Sequence, residues 1–216
     1  MTPAVAGMRG PEIPGFRWVR PLGQGGFADV FLYRQELPSR EVAIKVVRTQ
    51  GDERGTKELH READAMTLLA GHPAVVELHG VGTTADGRAY LVMEYCPVAD
   101  LLTQVRARPM DLEKALDTMI KVCGGVEMFH RQGYVHRDIK PSNIMLDAYG
   151  KPVLADFGVA SKVGQLEVGA FDGFSVLWAP PEQQDVNSPA SPLQDVWALA
   201  STTWTLVTGR SPFEDP

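Results

Sequence analysis

Long apolar runs are missing from this sequence. No stretch of its 216 residues approaches the roughly 18 uninterrupted apolar positions that a membrane-spanning helix needs, so no segment here is expected to cross a bilayer. Cysteine is scarce. Cys96 and Cys123 have no second Cys or His at metal-ligand spacing, which speaks against a zinc module, and two cysteines allow at most one disulfide. Both lie among apolar neighbours and are expected to be buried thiols of a reducing compartment. The first residues, MTPAVAGMRGPEIPG, lack the charged-then-apolar layout of a secretory signal, so the chain is read as cytoplasmic. Positive charge is in deficit, with 21 Lys+Arg against 27 Asp+Glu. The net charge of -6 argues against a general nucleic-acid or anionic-membrane binder. Internal repeats are absent. The only biased tract is a Pro-, Gly- and Ala-rich leader over residues 1–15, expected to be loose.

What is present is an ordinary globular composition, 44% apolar and 22% charged, sufficient for a sizeable core. From Phe16 the pattern becomes β-type. FRWVRPL alternates, and VFLY, EVAIKVV, VVELHGV and AYLVMEY follow, broken by Gly-rich or polar turns. Residues 56–70, TKELHREADAMTLLA, carry a helical period. Residues 16–95 therefore read as antiparallel strands with one helix. After Pro97 the pattern turns helical. DLEKALDTMIKVCGGVEMFHRQG places Leu112, Leu116, Met119, Ile120, Cys123, Val126 and Phe129 at helical spacing, with Gly133 as a stop. LQDVWALASTTWTLVTG is apolar on most faces and is expected to be a buried helix.

Four stretches bear chemistry. In LGQGGFADVF, from Leu22, the glycines Gly23, Gly25 and Gly26 lie between two strand-like runs, where backbone amides can approach phosphate oxygens. A strand rather than a helix follows them, so a dinucleotide-binding fingerprint does not fit, and no GK[ST] follows, so a Walker loop does not either. In VAIK, Lys45 points opposite to Val42 and Ile44; it faces solvent unless a carboxylate meets it. Glu62 can, because Leu59, Met66 and Leu69 put it on the inward stripe of its helix, where an unpaired carboxylate is costly. Glu58, one turn earlier, is the rival. YVHRDIKPSNIML, residues 134–146, packs His136, Arg137, Asp138, Lys140, Ser142 and Asn143 into a loop that Pro141 keeps from being helical throughout. ADFG adds Asp156. Taken singly, each is most simply a turn cap. Asp138, Asn143 and Asp156 together suit a hard cation.

In this order the Gly-rich loop, VAIK, HRDIKPSN and DFG resemble the signature set of eukaryotic-like (Hanks-type) Ser/Thr protein kinases, and the GGF loop and PPEQ ending resemble those of bacterial members. The likeness covers everything but the leader. It implies an α+β, bilobal protein-kinase-like fold: a small antiparallel β lobe with one helix over 16–95 and a mainly helical large lobe over 96–216. It also implies ATP and Mg²⁺ as cofactors and a protein substrate bearing Ser or Thr. In such a chain Lys45 holds the α/β-phosphates and pairs with Glu62. Asp138 accepts the substrate proton, Lys140 contacts the γ-phosphate, and Asn143 and Asp156 hold Mg²⁺. Met93, Glu94 and Cys96 of MEYC correspond to the hinge, Asp100 to the ribose acid, and Val30, Ala43 and Met145 to the adenine sandwich. Arg137 receives an anion from the segment 158–182, which has no Thr or Tyr. Ser161 and Ser175 are its hydroxyls, and Glu167 and Asp172 its acids ahead of Glu182. Ser175 aligns with the residue that bonds the catalytic Asp and Lys, and Asp195 with the acid beneath the loop.

Departures are few. Ala28 replaces the third loop glycine, and APE reads Pro180-Pro181-Glu182. The sequence stops at SPFEDP, where the family continues with further helices. A lobe incomplete at its C-terminus would expose apolar surface for a partner or second copy to cover. Two rivals therefore stand beside the enzyme: a pseudokinase or nucleotide-binding scaffold, and a small-molecule kinase of the aminoglycoside type.

Overall fold

Five strands build one antiparallel sheet: β1 (Phe16–Gln24), β2 (Ala28–Gln35), β3 (Arg40–Val47), β4 (Leu78–Thr83) and β5 (Ala89–Glu94), in the order β1-β2-β3-β5-β4. A computed structural model describes residues 8–166, 175–185 and 187–214. The chain divides into two compact units, Met1–Thr67 with Glu77–Cys96, and Leu68–Val76 with Pro97–Pro216. The α+β class expected from the pattern is the one observed.

In the first unit both sheet faces are covered. Phe31, Tyr33, Val42, Ile44, Val46 and Val92 cluster on one face together with Ile13. Ile13 belongs to the stretch expected to be loose, yet it is only 3% exposed, and Tyr33 Oη donates to the Pro11 carbonyl at 2.6 Å. Burial pushes the Tyr33 phenol up to about 12. On the other face Ala28, Val47, Ala89 and Leu91 pack against Leu59 and Ala63 of α1 (Glu53–Leu68). Fully burying Leu59 stabilises this contact by about 1.5–3 kcal/mol. Asp52 opens α1 by accepting from Gly55 N at 2.8 Å. VVELHGV is not one strand. β4 begins only at Leu78, while Val75 and Val76 join the second unit by pairing with Leu154.

The second unit holds α2 (Leu101–Ala107), α3 (Leu112–Arg131) and α4 (Pro192–Thr208), with short strands β6 (Tyr134–Val135), β7 (Ile144–Leu146), β8 (Pro152–Leu154) and β9 (Ser161–Lys162). β6 pairs with β9 and β7 with β8. Gly133 ends α3 at φ +79°, the left-handed geometry a glycine accepts freely. Two expectations need correcting here. On α3 the buried stripe is Ala115, Met119, Val122, Val126 and Phe129, while Leu112, Leu116, Ile120 and Cys123 are exposed. The helix carries two apolar stripes about 100° apart, and neighbours cover only one. On α4, Ala198, Thr202, Thr205 and Leu206 are buried, but Leu193, Val196, Trp197 and Trp204 are exposed. Cys96 is half-buried, and Cys96 and Cys123 form no disulfide. Among the described residues no helix is long and apolar enough to cross a membrane.

Candidate active site

In the first unit the strand pattern turns Lys45 toward α1. Residues paired across a sheet share a face. Val30 lies opposite Lys45, and Ala43 opposite Met93, so all four lie on the face that α1 covers. Glu62 meets Lys45 there, its two oxygens 2.9 and 2.7 Å from Nζ. Glu62 is 1% exposed, which makes the pairing obligatory, since a lone buried carboxylate would cost several kcal/mol. The rival Glu58 pairs instead with Arg54 on the same helix, at 2.9 Å. Leu22 and Gly23 belong to β1, while Gly25 and Gly26 form the turn before β2. Gly25 N donates to Ala28 O at 2.9 Å, and a Cβ on Gly25 would stand 2.9 Å from that oxygen. Arg48 binds the turn from beyond β3, reaching the Gly26 carbonyl and the buried Asp29 carboxylate. The bond to Asp29 holds its guanidinium charged even more firmly than usual. Glu94 ends β5, and its N–H donates to Glu77 O at 2.9 Å. Cys96 follows just beyond.

In the second unit the 134–146 loop is built around Asp138. A single turn of tight helix over Pro141–Asn143 starts at the proline, which needs no N–H there. That turn brings Asn143 back onto Asp138. Asn143 Nδ2 donates to Asp138 O at 2.8 Å and to Oδ2 at 2.9 Å. Lys140 Nζ donates to the same Oδ2 at 2.7 Å and to Ser175 Oγ at 2.6 Å, and Ser175 N donates to Asp138 Oδ1 at 3.2 Å. Asp138 thus has both oxygens oriented while being 6% exposed. With its nitrogen committed, Asn143 has only its amide oxygen to offer a cation. Asp156 sits at φ +61° on the exposed surface, and Phe157 behind it is buried against Phe129 and His136. Met145 lies on β7 and is half-buried. Asp100 caps α2, accepting from Thr103 N and Oγ1 at 3.0 and 2.8 Å.

The support beneath this loop is Asp195, which is fully buried on α4. Its carboxylate accepts from His136 N and Arg137 N, both at 2.8 Å, and lies 2.7 Å from His130 Nε2. Gln183 Nε2 donates to Arg137 O at 2.7 Å. These contacts hold Arg137 at φ +68°, a conformation costly for a residue with a Cβ. Arg137 Nη1 donates to Ser161 Oγ at 3.0 Å. Glu167 and Asp172 lie outside the described residues. His136 is wholly buried, and burial pushes its imidazole below the ordinary value; Asp138 N donates to its bare Nδ1 at 3.3 Å. Sequence reasoning missed Arg48, Asp29, His130 and Gln183. Nothing in the spacing could signal them, because their partners lie 19 to 65 residues away.

Among the described residues no three His, Cys, Asp or Glu side chains form a metal cage. Asn143 and Asp156 fit a cation that takes few protein ligands and completes its shell with water and phosphate oxygens, as Mg²⁺ does.

A family model of the protein kinase domain matches residues 16–216. The serine/threonine-protein kinases PknK of Mycobacterium bovis and Mycobacterium tuberculosis are each 38% identical over 213 residues, covering 94% of this chain and 19% of theirs. The serine/threonine-protein kinase PrkC of Bacillus subtilis is 33% identical over 211 residues, 95% of this chain and 32% of its own. The chain therefore spans about a fifth to a third of the length of the curated relatives it matches.

Proposed function

Because the chain belongs to the protein kinase family, we propose that it transfers the γ-phosphoryl group of ATP to serine and threonine hydroxyls of protein substrates. The observation that carries this reading is the Asp138 carboxylate, aimed by Asn143 and Ser175 and neutralised by Lys140. Asp138 takes the proton of the substrate hydroxyl as its oxygen attacks the γ-phosphorus and the bond to the β-phosphate oxygen breaks. Lys140 offsets charge at the transferring group while Ser175 steadies it. Lys45, fixed by Glu62, grips the α/β-phosphates, and the amides of the Gly25–Gly26 turn cover them. Asn143 and Asp156 would hold Mg²⁺, which would neutralise phosphate charge. Leu22, Val30, Ala43, Met93, Met145 and the backbone of Glu94 and Cys96 receive the adenine. Asp100 meets the ribose with whatever hydrogen-bonding capacity its cap leaves.

The experiment compares the parent chain with Asp138→Asn and Asp156→Ala. Transfer of γ-phosphate to a generic protein should fall about 10²–10⁴-fold in Asp138→Asn, the usual contribution of a general base, with ATP still bound. Titration calorimetry should show Mg²⁺ no longer strengthening ATP binding in Asp156→Ala. A parent that binds ATP and transfers nothing would be a nucleotide-binding scaffold instead.

A further inference from the structure

We propose that Arg48 is a positioning residue that dictates which backbone amides the glycine turn presents to the phosphates of ATP. The inference rests on the nucleotide reading above and adds a residue to it. Arg48 lies just past the end of β3, three residues beyond Lys45. It engages three consecutive carbonyls of the turn. Its Nη2 donates to Gly25 O, its Nη1 to Gly26 O at 3.3 Å, and its backbone N to Phe27 O at 2.9 Å. The guanidinium is itself anchored. Nη2 lies 2.9 Å from Asp29 Oδ1, and Nε is 3.3 Å from both Asp29 oxygens. Asp29 is 5% exposed, and the ion pair with Arg48 offsets the cost of burying its carboxylate.

The consequence follows from peptide geometry. In a trans peptide the carbonyl and the N–H of the same plane point in opposite directions. With the carbonyls of Gly25, Gly26 and Phe27 all turned toward Arg48, the N–H groups of Gly26, Phe27 and Ala28 all turn away from it. Three successive amides facing one way form a concave anion-binding surface. The Gly25 N–H is withdrawn from that set by its own bond to Ala28 O. Lys45 Nζ stands 5.4 Å from the centre of the Phe27 ring, so the cation that grips phosphate lies beside the same three residues. Only arginine suits this task. It offers a rigid planar fork of five donors, which divides here between a carboxylate and two carbonyls, where lysine would act as a point charge.

The test is a ratio of affinities. Dissociation constants for ATP, ADP and adenosine are measured by titration calorimetry on the parent chain, Arg48→Ala and Arg48→Lys, with a thermal melt of each. Loss of hydrogen bonds from a charged donor predicts ATP and ADP binding weaker by roughly tenfold or more in Arg48→Ala, with adenosine changed less than about twofold. Arg48→Lys, which keeps the charge opposite Asp29 but not the fork, should lose the phosphate-dependent part as well. It carries the test if Arg48→Ala does not fold. Unchanged ATP affinity, or equal losses for ATP and adenosine, overturns the proposal; the second result would mark Arg48 as ordinary support for the sheet. A parent chain that does not bind ATP overturns the nucleotide reading itself, before any variant is compared.

Discussion

Replacing Asp195 by asparagine should be among the most damaging single-atom changes available in the second unit. The carboxylate accepts from two backbone N–H groups, of His136 and Arg137, one on each oxygen, and Oδ2 also meets His130. Asparagine keeps one acceptor oxygen and puts an NH₂ where the other stood. Whichever way the amide is turned, one backbone N–H then faces a donor. The lost charge-assisted bond costs about 1.5–3 kcal/mol, and the stranded buried donor about 1–3 kcal/mol more. The sum, roughly 2.5–6 kcal/mol, is a large part of the about 5–15 kcal/mol that holds a typical domain together. Arg137 at φ +68° adds to the case, because its left-handed backbone persists only while its N–H is held. Guanidinium denaturation of parent and Asp195→Asn would measure the difference from the midpoints at equal slope. Transfer activity should fall more than ATP affinity does, since Asp138 is the next residue along. A stability loss under about 1 kcal/mol would refute the bond-by-bond reasoning, because even one such bond is worth more.

Two further outcomes follow from burial. The unfolded chain protonates His136 near its ordinary value of about 6.5. The folded chain resists protonation because burial holds the imidazole lower. The His136 contribution is therefore fully present above that pH and is lost as pH falls from there toward the folded value, by up to about 1.4 kcal/mol per pH unit. His136→Gln should lack that slope in denaturation curves from about pH 6.5 to 5.5; equal slopes in the two proteins would exclude it. On α3, Leu116→Glu and Ile120→Glu should leave stability of the chain within about 0.5 kcal/mol, because both residues are exposed. Val122→Asp should cost several kcal/mol by burying an unpaired charge. Similar midpoints for all three would mean the helix is packed on its other stripe.

The clustering around Asp138 was legible in the sequence because it is local. HRDIKPSN puts Asp138, Lys140 and Asn143 within six residues, and a proline-started turn is enough to bring them together. The period of α1 preferred Glu62 to Glu58, because a carboxylate on an inward stripe needs a cation and Lys45 was the candidate. The strands, the single helix of the first unit and the stop at Gly133 were readable from alternation, period and glycine. Other features depended on what lies opposite in space, which one sequence does not carry. α3 and α4 each offer more apolar surface than their neighbours cover, and only packing chose Met119 over Leu116 and Thr202 over Trp204. Val75 and Val76 read as one strand with the residues after them, yet they pair with Leu154 within the second unit while the strand of the first unit begins at Leu78. Asp195 matched the acid beneath the loop by resemblance alone, and only the folded loop brings two amides to it. Arg48 carried no signal at all, since its role exists only where a strand end and a glycine turn meet. Local chemistry is written along the chain, while selection between equally apolar faces and equally charged ends is made by non-local contact, whose energy appears only once the core has closed.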